Sequence, residues 1–147
     1  MKSIIGVDIG GTAIKAGLLS EHGLQKKLSA PSPKSAEDLV RVVIQLTQEL
    51  LPDRTPSCCG VAVAGLLSPD EKEVLNSPNL RWIEKFPLQA ALADALACPV
   101  FLVNDATAAA QGEIRFGIGT THPSFLLATL GTGVGGGVVL DGKLWTG

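Results

Sequence analysis

The sequence predicts an α/β protein, a mixed β-sheet flanked by helices, and three observations predict it. The first thirty residues hold three strand-like runs separated by turn signals, the pattern of an antiparallel meander. Apolar runs of strand length then alternate with stretches of helical periodicity, the pattern of βαβ units. Seventeen glycines and only 4% aromatic residues fit a chain that turns tightly and often.

Each element has its own signal. Residues 3–9 read as a buried strand, and 13–19 as a second strand across the Gly10-Gly11 turn. Glu21-His22-Gly23 turns the chain into a third strand over 24–30, and Pro31-Ser32-Pro33 ends the meander. Ser35 opens a helix as its N-cap, with Asp38 at the third position of a capping-box variant. Leu39, Val40, Val43, Leu46, Leu50 and Leu51 fall at helical spacing, and Pro52 closes the run. Residues 58–64 form a short apolar strand, followed by a polar loop through Asp70 and Asn76 to Asn79. Pro87 marks the start of a helix whose apolar face is Leu88, Ala91, Leu92, Ala95 and Leu96. A buried strand over 99–103 leads through Asn104-Asp105 into an alanine-rich helix that ends near Phe116-Gly117. The last segment, 124–145, reads as strand, glycine turn, strand, with Asp141-Gly142 as a further turn.

With 147 residues, 46% hydrophobic content and a net charge of −2, the chain suits a globular domain with a sizeable core. Lys and Arg are scattered, so nothing recommends nucleic acid or an anionic membrane as a partner. No apolar run approaches the ~20 residues of a membrane span, and the N-terminus is strand-like rather than signal-like. Cys58, Cys59 and Cys98 lack metal-ligand spacing and read as small buried thiols of a reducing cytoplasm.

Two stretches share a design, an apolar strand running into a glycine-and-threonine turn. The first is Ile4-Ile5-Gly6-Val7 followed by Asp8-Ile9-Gly10-Gly11-Thr12. The second is Phe125-Leu126-Leu127-Ala128 followed by Gly131-Thr132-Gly133 and Gly135-Gly136-Gly137. Such turns let backbone N–H groups crowd an anion, and a threonine hydroxyl adds a donor. Two cradles, with carboxylates at Asp8 and Asp105, point to a polyphosphate site. Gly10-Gly11 also reads as a plain hairpin turn, and the glycine run at 131–137 as an ordinary glycine-rich hairpin. The first turn leads into a strand and lacks G-x-G-x-x-G, which argues against a dinucleotide fold. Asp8, a carboxylate at the end of an apolar strand, could hold Mg²⁺ through water. Asp105 reads both as a helix N-cap and as a base at a strand end, and the two roles can coexist. A helix N-terminus favours an ionised carboxylate, so Asp105 would act through its position. Asn79 and Asn104 offer the paired donors and acceptors that read sugar hydroxyls, although Asn79 taken alone, in Ser77-Pro78-Asn79, reads first as a turn residue.

Taken together, four ordered segments resemble the ROK family (repressors, open reading frames, kinases) within the actin-like sugar kinase superfamily. They are Asp8-Ile9-Gly10-Gly11-Thr12-Ala13-Ile14-Lys15, Asn76-Ser77-Pro78-Asn79-Leu80, Asn104-Asp105-Ala106-Thr107-Ala108-Ala109-Ala110 and Gly131-Thr132-Gly133-Val134-Gly135-Gly136-Gly137-Val138. The resemblance implies a ribonuclease H-like domain that phosphorylates a hexose or N-acetylhexosamine with ATP and Mg²⁺. Asp105 would be the base, and Asp8 would place the metal through water. Gly10, Gly11, Thr12, Lys15, Gly131, Thr132, Gly133, Gly135, Gly136 and Gly137 would hold the nucleotide. Gly65, Asn79, Asn104 and Asp105 would line the sugar pocket. The chain departs from the family pattern at Thr107, where Asn is usual, and at Leu66, where a proline often follows the glycine.

Family members run to roughly twice this length, which implies an N-terminal fragment. Residues 1–118 would be the ribonuclease H-like domain and 119–147 the first hairpin of a missing second domain. The missing half would carry a structural zinc cluster and most of the adenosine pocket, leaving the fragment catalytically incomplete. The resemblance also implies a homodimer, and the apolar side chains and strand edges that truncation leaves uncovered predict self-association of the fragment through 124–140, or disorder there. The alternative is the sugar-sensing domain of a ROK-type repressor, which carries a helix-turn-helix ahead of the first turn. Here Met1 precedes the first strand by only two residues.

Overall fold

Residues 3–131 and 133–145 are described by a computed structural model. The chain divides into two compact units, Met1–Val103 and Asn104–Gly147.

The first unit opens with the meander. Strand β1 (Ile4–Ile9) pairs antiparallel with β2 (Ala13–Ser20), in a register running from Ile4↔Leu19 to Ile9↔Ile14. Strand β3 (Gly23–Pro31) pairs antiparallel with β2, with a register shift at Leu18/Leu19. Helix α1 (Ala36–Leu50) begins as its sequence signals: the Ser35 side chain accepts the Asp38 N–H, and Ser35 Oγ donates to the Asp38 carboxylate at 2.8 Å. Strand β4 (Cys58–Val63) then lies parallel beside β1.

Where a polar loop is expected, the chain forms a small hairpin, β5 (Leu66–Leu67) with β6 (Val74–Asn76), and a 3-10 turn over Arg81–Ile83. Strands of two and three residues leave no readable period in a sequence. Ser68 closes this hairpin: its Oγ accepts the Lys72 and Glu73 amides, both at 3.1 Å, and donates to Asp70 at 2.7 Å. The Ser68 hydrogen bond, with Lys72 beside it, holds the Asp70 carboxyl below its ordinary range. Helix α2 (Leu88–Leu96) follows Pro87 and stops at Ala97, which takes a left-handed conformation at φ 51°. Strand β7 (Val100–Asn104) completes a five-stranded mixed sheet of order β3-β2-β1-β4-β7.

Alternation along the strands supplies the core. Ile5, Val7 and Ile9 of β1, Val61 and Val63 of β4, and Leu102 of β7 are buried with Leu39, Val43 and Leu46 of α1 and Leu88 and Leu92 of α2. The opposite parity of β1 and β2 leaves Asp8 and Lys15 exposed. Cys59 is buried, and burial, with Cys98 and Cys58 nearby, pushes its thiol up to about 12. Cys98 is buried as expected, whereas Cys58 is only half-buried. A thiol so far from ionisation is a packing residue.

The second unit is a helix on a sheet. Helix α3 (Asp105–Phe116) packs on a three-stranded antiparallel sheet of β8 (Phe125–Leu130), β9 (Val134–Leu140) and β10 (Lys143–Trp145), in the order β10-β9-β8. Ala106 and Ala110, one turn apart, meet Gly135 and Gly137. A Cβ on Gly135 would stand 3.0 Å from the Ala106 Cβ, and one on Gly137 would stand 2.7 Å from the Ala110 Cβ. Small residues on both surfaces therefore bring helix and sheet close together, with Val139 buried beside them. The outward face of the same hairpin carries Leu126, Leu130 and Val134, each about four-fifths exposed (79%, 82% and 80%).

No helix among the described residues is long and apolar enough to cross a membrane.

Candidate functional site

The residues singled out in the sequence fall into two groups, one in each compact unit. The first group gathers at the end of β1 and β4. The β1–β2 turn is closed by the Gly10 N–H donating to the Ala13 carbonyl at 3.1 Å. Thr12 follows, exposed, and its carbonyl accepts the Ser32 N–H at 2.9 Å, which ties the turn to the end of β3. Glycine at 11 answers to a neighbour: a Cβ there would come within 3.2 Å of the Asn79 Cβ. The structure thus brings the first glycine turn and Asn79 together, although they are far apart in sequence.

Gly65 joins them through the same loop. It sits just after β4 at φ 132°, a conformation that side chains rarely adopt, and a Cβ there would collide with the Asn76 carbonyl. The bend is pinned by Ser77, whose Oγ donates to the Ala64 carbonyl at 2.7 Å. Replacing Gly65 with Ala is expected to lower stability by ~1–3 kcal/mol through backbone strain alone. Thermal unfolding of the purified variant checks this, and an unchanged midpoint would contradict it.

Asp8 and Lys15 face one another across β1 and β2 as register partners, with Lys15 Nζ at 3.9 Å from Asp8 Oδ2. Both side chains are more than half exposed (51% for Asp8 and 71% for Lys15), so the pair contributes ~0–1 kcal/mol and leaves the carboxylate accessible. An accessible oxygen-only ligand beside a glycine turn fits Mg²⁺, which keeps most of its waters and uses one or two carboxylates plus phosphate oxygens. Among the described residues, no three His, Cys, Asp or Glu side chains form a dedicated metal cluster.

The second group surrounds the start of α3. Here the structure corrects the reading of Asp105 as N-cap. Asn104 takes that role, its Oδ1 accepting the Ala106 N–H at 3.0 Å and the Thr107 N–H at 3.2 Å. Asp105 is the first helical residue, exposed, with Oδ1 at 2.9 Å from the Ala106 N–H. Asn and Asp are near-equal caps, so adjacent candidates cannot be ranked from sequence. With Asn104 closing the helix, the Asp105 carboxylate stands at the positive end of the helix dipole and open to solvent.

The second glycine turn follows β8 in this same unit. The Gly131 N–H donates to the Gly133 carbonyl at 3.0 Å, and a Cβ on either glycine would meet open space. Thr132 lies outside the described residues. Gly135, Gly136 and Gly137 belong to β9 itself, two of them serving the close packing against α3. That packing brings the first turn of α3 against the start of β9, so Asp105 and the second glycine turn lie at the same end of this unit.

Sequence reasoning missed Ser77 and Glu84. Ser77 is wholly buried, and its N–H donates to Glu84 Oε1 at 2.9 Å. A serine between Asn and Pro carries no burial signal, and a carboxylate seven residues away announces no partner.

The sequence pattern of the ROK family matches residues 4–147. A glucokinase of Streptomyces coelicolor is 36% identical over 141 residues, covering 95% of this chain and 44% of that protein. An N-acetylmannosamine kinase of Haemophilus influenzae is 34% identical over 145 residues, covering 97% of this chain and 48% of that protein. Among solved structures, a ROK family glucokinase from Streptomyces griseus in complex with glucose and AMPPNP superimposes with a TM-score of 0.89. It is 36% identical, with 99% of this chain and 46% of that one covered. The chain spans about half the length of the curated relatives it matches. The α/β fold, with its mixed sheet and flanking helices, is that of the actin-like ATPases.

Proposed function

Because the chain belongs to the ROK family, we propose that it supplies the N-terminal half of an ATP-dependent hexose or N-acetylhexosamine kinase. The observation that carries this reading is the exposed Asp105 carboxylate at the start of α3, relieved of the capping role by Asn104. Residues 1–118 form the ribonuclease H-like domain in this reading, and 119–147 open the second domain. The protein works in the cytoplasm, and a structural zinc belongs to the remaining half.

Asp105 accepts the proton of the sugar hydroxyl as its oxygen bonds to the γ-phosphorus and the bond to the β-phosphate oxygen breaks, giving ADP and the sugar phosphate. The loose transition state of phosphoryl transfer asks for an oriented hydroxyl more than for early deprotonation. Gly65, Asn79 and Asn104 orient the sugar, while Gly10, Gly11, Thr12 and Lys15 hold phosphate oxygens. Gly131, Thr132 and Gly133, with Gly135, Gly136 and Gly137 behind them, are the second set of nucleotide-holding residues. Asp8 would hold Mg²⁺ through water, and the ion would supply charge neutralisation at the phosphates.

The experiment is phosphotransfer by the full-length protein, with Mg²⁺, ATP and a panel that includes glucose and N-acetylmannosamine. Sugar-dependent ADP release is the expected outcome. Saturable sugar binding with no ADP formed would instead favour the sugar-sensing repressor domain.

The outward face of the β8–β9 hairpin leads to a second expectation. Leu126, Leu130 and Val134 would each gain ~1.5–3 kcal/mol from full burial. The 147-residue chain is therefore expected to self-associate through 124–140, and the full-length protein to be a homodimer. Sedimentation velocity of the chain across a hundred-fold concentration range checks the first point, and a strictly monomeric profile with the hairpin formed would contradict it.

A further inference from the structure

We propose that Glu84 is a positioning residue, acting through Ser77 to set the loop that carries Asn79 and closes the Gly65 bend. What that loop does for a sugar rests on the kinase reading, whereas how it is held does not.

Every polar group of Ser77 is committed, and each bond fixes a different neighbour. Its N–H donates to Glu84 Oε1 at 2.9 Å, its Oγ donates to the Ala64 carbonyl at 2.7 Å, and its carbonyl accepts the Leu80 N–H at 3.2 Å. The first bond reaches back to Glu84, the second closes the strand end before Gly65, and the third shapes the turn presenting Asn79. Glu84 is itself held from both sides. Its N–H donates to the Arg81 carbonyl at 3.2 Å, and it forms a parallel bridge with Val74, three residues before Ser77. The neighbouring Lys85 N–H donates to the Val74 carbonyl at 2.9 Å. The carboxylate therefore spans from a fixed backbone to a residue with no solvent exposure.

A buried N–H needs an acceptor, and an ionised one makes a shorter and stronger bond. Take the carboxylate away and the Ser77 amide must find another acceptor, which requires the loop to move. Asn79 moves with it, and so does its contact with Gly11. A hydrogen-bonding group moved out of reach forfeits its bond to the ligand, on the order of ten- to a hundred-fold in affinity. Glu84 touches neither sugar nor nucleotide in this account. Its effect is on the affinity of the sugar side.

The test compares the full-length wild type with Glu84→Ala, Glu84→Gln and Glu84→Asp. Glu84→Ala is expected to raise the sugar KM about ten- to a hundred-fold, with kcat and the ATP KM changing far less. Glu84→Gln keeps an oxygen at the same reach and is expected to restore most of the sugar affinity. Glu84→Asp, one methylene shorter, should behave like Ala and carries the comparison if the alanine protein does not fold. Amide exchange of peptides covering 76–80 should quicken in step with KM. Faster exchange with an unchanged sugar KM would overturn the proposal by reducing Glu84 to a structural brace. Glu84→Gln as damaging as Glu84→Ala would overturn it too. A wild type that phosphorylates no hexose sinks the kinase reading and the functional half of this proposal. The exchange measurement would still decide the structural half.

Discussion

Asp105→Asn in the full-length protein is expected to lower kcat for sugar phosphorylation ~10²–10⁴-fold, the usual contribution of a general base. The substitution is nearly isosteric, and the structure explains why the fold should tolerate it. Asn104, not Asp105, closes α3 through the Ala106 and Thr107 amides, so the helix keeps its cap. The Asp105 side chain is exposed, so the change buries nothing new. The variant should therefore unfold at nearly the wild-type midpoint and retain sugar affinity while losing turnover. Steady-state kinetics alongside thermal unfolding separate these effects. Near-normal turnover would remove Asp105 from the chemistry.

Leu80→Ala is expected to cost ~2–5 kcal/mol of stability, the range for a large buried side chain cut to alanine. Leu80 has no solvent exposure, follows Asn79 directly and precedes the Arg81–Ile83 turn. It anchors the loop to the main core, beside Ile83 and Leu88. The cost is a lost transfer term plus a cavity that the surrounding strands can only partly fill. Urea unfolding of the 147-residue chain measures it. Leu66→Ala is the matched control, because a side chain that is 64% exposed and lies outside 124–140 should change stability by no more than ~0.5 kcal/mol. Similar losses from both substitutions would mean that the assignment of core and surface is wrong.

Much of the fold was readable because its elements carry strong local signals. The three-strand meander shows as alternation broken by turns, and α1 shows as Ser35, Asp38 and four leucine or valine positions one turn apart. The hairpin after β4 was not readable. Strands as short as Leu66–Leu67 have no period, and their pairing depends on Ser68 gathering amides from four and five residues away. The site shows the same division. Residue types named the candidates, Asp8, Asn79 and Asp105 among them, because carboxylates at strand ends and amides in turns stand out. Contacts did not show. That Gly11 makes room for Asn79, or that Gly135 and Gly137 make room for α3, depends on chain segments brought together only by folding. The cap was misplaced by one residue because Asn and Asp compete equally for it, and only backbone geometry decides between neighbours.

The most direct test is a crystal structure of the full-length protein with a non-hydrolysable ATP analogue, Mg²⁺ and a hexose. The predicted result puts the phosphates against the amides of both glycine turns. It also places an Asp105 carboxylate oxygen about 2.6–3.2 Å from the sugar hydroxyl that faces the γ-phosphate. Phosphates bound away from either turn, or an Asp105 carboxylate directed into solvent while the sugar is bound, would contradict the account.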